Sequence, residues 1–311
     1  MQETLAHVPV LLHECIQGLR IKADGIYVDC TFGRGGHSQV LLGQLTDKGR
    51  LFVLDQDPSA VAYAEGKFGN DSRVKILHET FANLQIVASD NELNTNVDGV
   101  FFDLGVSSPQ LDEAGRGFSF SHDGPLDMRM NTSSGHSAAE WLAEISADEL
   151  TTVLYDFGEE RYARKIALKI LHEQQHKAIN TTKRLADIIK GCYPPGYKGV
   201  HPATRTFQAI RIAVNKELDA LQKGLEAAFE MLNDGGRLVV ISFHSLEDRL
   251  VKRFIRNTKQ EERLPVKMPV MPEFNNYLKP IGKLVRPSEQ EINANPRARS
   301  ARLRIAEKVL K

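Results

Sequence analysis

The chain has 311 residues, with 40 Lys and Arg against 40 Asp and Glu, 41% hydrophobic residues and 26% charged ones. This length carries one large α/β domain and a second, smaller one. No apolar run approaches the roughly 20 residues of a membrane span, and Met1-Gln-Glu-Thr-Leu-Ala lacks the basic start of a secretory signal, so cytoplasmic residence is expected.

Ile26 to Cys30 reads as a buried strand, and Gly33, Gly35 and Gly36 follow in a turn that lets backbone approach a ligand. A second strand, Leu51 to Asp55, ends on an acid about 20 residues further on, which is the nucleotide-binding pattern of a βαβ unit. An adenosine cofactor is the first expectation. A dinucleotide site needs Gly-x-Gly-x-x-Gly, and here Ser38 stands in the third glycine position. S-adenosylmethionine (SAM) offers Asp55 the same ribose hydroxyls without a pyrophosphate and fits better than NAD.

Asp57-Pro58 is a helix start, an acid at the cap followed by proline at the first helical position. Strands at Val74 to Leu77 and Val97 to Asp103 continue the alternation, which predicts a parallel, doubly wound sheet. The alternation then stops for about 100 residues of helical character, the mark of an inserted domain. That insert opens in the glycine-rich stretch Gly115 to Met130. Capping boxes at Ser137-Ala-Ala-Glu140 and Ser146-Ala-Asp-Glu149 start two helices, and Tyr193 to Gly199 is a loop.

Phe207, Ile210, Val214, Leu218, Leu221, Leu225, Phe229 and Leu232 recur at steps of three and four, predicting one long helix or two in line. The domain boundary is expected near Val214, giving a discontinuous domain of residues 1–112 and 215–311 around an insert of 113–214. Gly235-Gly236 is expected to end that helix, Leu238 to Ser242 to form the fifth strand, and Ser245-Leu-Glu-Asp248 to open another helix. Leu264 to Pro280 reads as a long loop, with short strands near Ile281 to Val285 and Ala301 to Ala306 completing seven. Cys15, Cys30 and Cys192 form no Cys-x-x-Cys pair and read as packing residues; no metal site is expected.

The zero net charge is unevenly distributed. Residues 111–160 hold two Arg against eleven acids, 161–216 hold twelve Lys and Arg against two, and 249–311 hold sixteen against six. Two basic segments flanking a cofactor domain point to a surface that meets phosphates.

Eight runs in order resemble the MraW family of ribosomal RNA small subunit methyltransferases. They are His7-Val-Pro-Val-Leu-Leu12, Asp29-Cys-Thr-Phe-Gly-Arg-Gly-Gly-His37, Asp103-Leu-Gly-Val-Ser-Ser-Pro-Gln110, Gly117-Phe-Ser-Phe, Pro125-Leu-Asp-Met-Arg-Met130, His201-Pro-Ala-Thr-Arg-Thr-Phe-Gln208, Ser242-Phe-His-Ser-Leu-Glu-Asp-Arg249 and Asn295-Pro-Arg-Ala-Arg-Ser300. The resemblance implies a class I SAM-dependent methyltransferase fold, Rossmann-like with a seven-stranded, mostly parallel sheet, and an inserted helical domain that recognises substrate. It implies N4-methylation of one cytidine in the decoding region of 16S rRNA, within the small ribosomal subunit; a homodimer stays open. It also implies SAM contacts at Gly35, Gly36, His37, Asp55, Phe81, Asp103 and Gln110.

Cytosine's exocyclic amine is a poor nucleophile, and acceptors on its N–H groups can localise the lone pair while the amine is held in line with the methyl. Asp103, Ser107 and Ser108 are the candidate acceptors. Their loop resembles the (Asp/Asn/Ser)-Pro-Pro-aromatic turn of amino methyltransferases, except that it has one proline and Gln110 near the aromatic position. Phe118, Phe120 and Phe243 are therefore the candidates for stacking on the base. No cysteine stands in this loop, which argues against C5-methylation through a thiolate.

A base to be methylated must be unpaired or flipped out, and its phosphates need cations. Arg205, Arg211 and Lys216, then Arg249, Lys252 and Arg253, are the candidates, with Arg297, Arg299, Arg302 and Arg304 as a second set. His244 is either pocket-facing or structural. The alternatives are an N4-cytosine or amine methyltransferase acting on DNA or a small molecule, an NAD-linked oxidoreductase, and a non-catalytic SAM-responsive RNA-binding module.

Overall fold

The computed structural model describes residues 9–258 and 276–310. Its strands are β1 (Ile26–Asp29), β2 (Arg50–Asp55), β3 (Val74–His78), β4 (Val97–Asp103), β5 (Leu232–Ser242), β6 (Tyr277–Pro280) and β7 (Arg302–Val309). They form one sheet in the order β3-β2-β1-β4-β5-β7-β6. The pairs among β1 to β5 are parallel, while β7 runs antiparallel to β5 and β6. Because β2 and β4 flank β1 on opposite sides, the strand order reverses there, and the carboxyl ends of β1 and β4 bound the crevice where such sheets bind ligands.

Apolar alternation along the strands supplies two cores. Val28, Val100, Phe102, Leu238 and Val240 face the helices Leu84–Asp90, Glu217–Met231 and Ser245–Asn257. Val53, Phe101, Val239 and Ile241 face the helices Leu12–Leu19, Gly36–Leu42 and Pro58–Phe68. Strands covered on both faces need continuous apolar runs, which Leu51 to Leu54 of β2, Val100 to Phe102 of β4 and Leu238 to Ile241 of β5 supply. Cys15, Cys30 and Cys192 are all free thiols buried in packing.

The chain divides into two compact units, Met1–Gly105 with Leu218–Lys311, and Val106–Glu217. In the second, the helices Ala138–Glu144, Ala147–Gly158, Ala163–His176, Thr182–Lys190 and Ala203–Asn215 close on a core that includes Leu142, Leu154, Ile166, Ile170, Leu185 and Ile210. Capping boxes open the first two of these helices, with Ser137 against Glu140 and Ser146 against Glu149. Asn215 secures the irregular opening stretch, accepting from Met130 N–H at 2.8 Å and donating to the Met128 carbonyl at 2.7 Å. Among the described residues no helix is long and apolar enough to cross a membrane.

Several boundaries differ from the sequence expectation. The long periodic run is two helices, broken at Lys216, whose φ of 50° is left-handed. The second helix ends at Met231, before the glycines: Val97 pairs with Leu232 and Gly99 with Arg237, so Asn233 to Gly236 bulge out of β5, with Gly235 at φ 74°. The Ser245–Asn257 helix is capped one residue earlier than expected, by His244 with Glu247. Finally, β6 covers Tyr277–Pro280, inside the expected loop, and Val285 makes only an isolated bridge to Leu303. Pro280 is tolerated because β6 is the edge strand of the sheet. Most of the expected loop Leu264 to Pro280 lies outside the described residues.

Candidate active site

The carboxyl end of β1 turns sharply, and its polar groups are tied to the neighbouring strands. Asp29, 2% exposed, accepts from Ser38 Oγ at 2.6 Å and Thr31 N–H at 3.1 Å. Thr31 Oγ1 in turn accepts the Asp103 N–H at 2.6 Å, fastening the end of β4 to the turn after β1. Phe32 N–H reaches the Leu54 carbonyl at 3.0 Å, and Gly33 N–H reaches Asp55 Oδ2 at 2.8 Å. These bonds set the ends of β1, β2 and β4 in register.

The three glycines of this turn do different jobs. Gly33 and Gly35 are left-handed, at φ 56° and 67°. A Cβ on Gly35 would press into the Phe32 ring, and one on Gly36 into Pro9. The absence of a side chain at those two positions is therefore required by packing. Gly33 is the open one, with nothing within 4 Å of its Cβ position.

Asp55 accepts from Gly33 N–H at 2.8 Å on Oδ2 and from Asp57 N–H at 2.9 Å on Oδ1, and the Gln56 backbone N–H bonds the same carboxylate. Burial pushes its pKa up to about 6, against the opposing pull of the backbone N–H groups. Phe81 begins a short 3-10 turn after β3, partly buried and edge-on to Phe102 at 5.6 Å.

Asp103 is the unusual group. Its Oδ1 is buried with no hydrogen-bond partner among the described residues. Burial, then the charges of Asp29 and Glu247, push its pKa up to about 8. His37 lies beside it, Nδ1 3.7 Å from Oδ2, and packs on Phe101. The His37 Nε2 meets the Val10 carbonyl at 3.0 Å; a carbonyl only accepts, so Nε2 bears the hydrogen and the Nδ1 lone pair faces Asp103. Burial lowers the His37 pKa to about 4, so the ring is neutral near pH 7. An acid crowded by other acids and left without a neutralising cation is a natural counter-ion for a positively charged ligand.

Beyond β5, Glu247 is 2% exposed and accepts from Phe243 N–H at 2.8 Å and His244 N–H at 3.2 Å, while its Oε1 lies 3.0 Å from His244 Nε2. His244 is thus chiefly a cap for the following helix. Sequence reasoning does not single out Asp29, Thr31 or Glu247; all three lie in the quoted runs, but their burial and the bonds and charges they share with Asp103 are tertiary facts.

Ser107, Ser108 and Gln110 belong to the helical unit, at the start of the short helix Ser108–Asp112. Gln110 is 5% exposed and its Oε1 accepts the Ser107 N–H at 3.0 Å, so its amide holds the turn. Of the stacking candidates, Phe118 is 7% exposed in the helical core, Phe120 has one face covered by His201, and Phe243 packs beside Gly105.

Among the cations, Arg205 and Lys216 are exposed, as are Arg249, Lys252 and Arg253 on the Ser245–Asn257 helix. Arg211 departs from expectation: its guanidinium grips Glu217 through two bonds of 2.8 and 2.9 Å, so its charge is already neutralised. Arg304 likewise grips Asp248 at 2.7 and 3.1 Å, with Arg302 at 3.9 Å from the same acid.

Residues 4–309 match the model of the MraW methylase family. The chain belongs to the MraW methylase family. The "Ribosomal RNA small subunit methyltransferase H" of Idiomarina loihiensis is 53% identical over 306 residues, covering 97% of each chain. The protein of the same name from Coxiella burnetii is 52% identical over 305 residues, covering 98% of this chain and 99% of that one. A solved rRNA methylase from Streptococcus thermophilus is similar at 12% identity, with a TM-score of 0.43 over 98% of this chain and 99% of that chain. The sheet is seven-stranded and mostly parallel, with β7 inserted antiparallel between β5 and β6, as the family resemblance implies. As an MraW methylase the protein takes its methyl group from SAM. Asp103's unpartnered oxygen, the Asp55 carboxylate at the end of β2 and the open side of Gly33 suit a ligand with a cationic centre and a ribose.

Proposed function

We propose that this protein transfers the methyl group of SAM to the exocyclic N4 amine of one cytidine in the decoding region of 16S rRNA, acting in the cytoplasm on the small ribosomal subunit. The observation that carries the RNA substrate is the end-to-end likeness to relatives named as rRNA small subunit methyltransferases. A homodimer is compatible with this reading but not required by it.

SAM supplies an electrophilic methyl on a sulfonium centre. Asp55 accepts bonds from the ribose hydroxyls, Phe81 packs the adenine, and the turn from Gly33 to His37 borders the cofactor with its backbone. Gln110 and Asp103 complete this contact set. Asp103 stands opposite the positive charge and, once ionised by it, accepts an N–H of the incoming amine. Ser107 and Ser108 offer hydroxyl or carbonyl acceptors for the second N–H. Orienting the amine in line is the main contribution, because its proton can leave after attack and no strong base is needed. Arg205, Lys216, Arg249, Lys252 and Arg253 take phosphates, with the helical unit reading the substrate.

The test incubates the protein with methyl-labelled SAM and small subunits from cells lacking this gene, beside naked rRNA and DNA, and identifies the labelled nucleoside by mass spectrometry. N4-methylcytidine in the rRNA is the expected product. Label only in DNA, or none despite tight SAM binding, would overturn the reading.

A further inference from the structure

Phe120, His201 and Phe207 form an aromatic stack in the helical unit that the chemistry above does not use. The Phe120 and His201 rings lie face to face, with centroids 4.4 Å apart and planes 14° from parallel. Phe207, 4% exposed, supports Phe120 edge-on at 5.2 Å. The stack thus runs from the helical core outward to His201, which is exposed.

His201 is held in two ways. Phe120 covers one face, and its Nδ1 accepts the Ala203 N–H at 3.2 Å at the start of the Ala203–Asn215 helix. The residue is exposed, and among the described residues Phe120 is the one ring that stacks on it. Rigid, flat and already ordered, such a surface loses little entropy when another ring lies on it.

Arg205 follows four residues later, also exposed. Its Nη1 donates to the Glu159 carbonyl at 2.8 Å, which orients the guanidinium without neutralising it, and no carboxylate among the described residues pairs with it. Tyr193 feels its positive charge, and Tyr197, 42% exposed, packs edge-on to Tyr193 at 4.8 Å. Residues 161–216, which hold all of these except Phe120 and Glu159, carry twelve Lys and Arg against two acids. An exposed, ordered ring four residues before an oriented, unneutralised guanidinium matches the two halves of a nucleotide, the base and its phosphate.

We propose that His201 and Arg205 form a docking platform for one unpaired nucleotide of the RNA strand, its base stacked on the exposed imidazole and its phosphate on Arg205. This rests on the RNA reading above and adds to it a contact outside the methyl-transfer centre. His201 is here a positioning residue, acting on how the strand is held.

Two substitutions separate stacking from helix capping. His201→Phe keeps an aromatic face and loses the acceptor for Ala203; His201→Asn keeps an acceptor and loses the face. Each is measured with wild type for Tm, SAM affinity, KM for small subunits, and equilibrium binding of a single-stranded oligocytidylate RNA. Stacking predicts that His201→Asn weakens RNA binding and raises KM by about ten-fold, while His201→Phe stays within about three-fold of wild type. SAM affinity should hold in both. Arg205→Gln should weaken oligonucleotide binding and flatten its salt dependence. The opposite order, with Asn rescuing and Phe failing alongside a lowered Tm, would overturn the platform in favour of a cap. If the wild type transfers no label to rRNA, the methylation reading falls, and the oligonucleotide arm still decides the platform by itself.

Discussion

At Asp103 the charge of the ligand and the charge of the protein are coupled. Its pKa of about 8 lies above the ordinary carboxylate value, so the ligand-free fold holds a proton there that the unfolded chain gives up. The stabilisation is complete below about pH 4 and is lost as pH rises through about 8. Asp29 and Asp55, each pushed up to about 6, act in the same sense over a lower window. The ligand-free protein should therefore lose Tm as pH climbs from about 5 to about 9, and Asp103→Asn should flatten the upper part of that curve. A cation beside Asp103 favours the ionised form. SAM affinity should then rise with pH up to about 8, with proton release detectable by calorimetry in buffers of different ionisation enthalpy, and the effect should vanish in Asp103→Asn.

The glycines give a second contrast at this scale. Gly35→Ala meets both a left-handed backbone and the Phe32 ring, and should destabilise the fold by about 2 to 4 kcal/mol in urea unfolding. Gly33→Ala meets only the backbone cost of about 1 to 2 kcal/mol, but places a methyl on the open side of the turn. Its larger effect should be on KM for SAM. The pattern Gly-Arg-Gly-Gly makes the turn legible from sequence; which glycine leaves room for a Cβ depends on where Phe32 and Pro9 pack, and that is set by the whole sheet.

At the scale of elements, the carboxyl edge is held by single side chains that each satisfy backbone. Thr31 accepts the Asp103 N–H, and Thr31→Val, nearly isosteric, leaves that group unpaired. The expected loss is about 1 to 3 kcal/mol in urea unfolding. Glu247→Ala frees the Phe243 and His244 N–H groups and should cost a similar amount, with larger local hydrogen exchange at the start of the Ser245–Asn257 helix than elsewhere. Strands β1 to β4 and the caps at Asp57, Ser137 and Ser146 are legible in the sequence, because apolar alternation and local side-chain bonds depend on near neighbours. The misplaced elements follow from non-local causes. Pro280 reads as a breaker until an edge position accommodates it, and Gly235-Gly236 reads as a helix stop until a bulge opposite β4 absorbs it.

For the whole molecule, the balance of 40 basic and 40 acidic residues conceals two basic segments, yet pairing removes some of their cations from play. Composition counts Arg211 and Arg304 with the rest; only the fold reveals that Glu217 and Asp248 hold them. Replacing Lys252 or Arg253 by Ala should therefore lower the slope of log affinity for RNA against log salt by about one each, whereas Arg304→Ala should leave the slope unchanged and lower stability instead. The inserted helical unit is foreshadowed by the break in strand alternation after Asp103, and the packing divides the chain at Val106 and Glu217 where the sequence suggests 113 and 214.

The order of β4 and β5 has a consequence for how the protein is made. The two strands pair along most of β4, but the entire helical unit lies between them in the chain. At a synthesis rate of about 5 to 20 residues per second, β4 emerges on the order of ten seconds before its partner. Throughout that interval Val97 to Asp103, an apolar strand, has an unpaired margin available to any other extended segment nearby. The nascent chain therefore passes through a stage in which its most vulnerable surface is the future centre of its sheet, and slowing translation within the helical unit should increase misassembly more than an equal pause after β5.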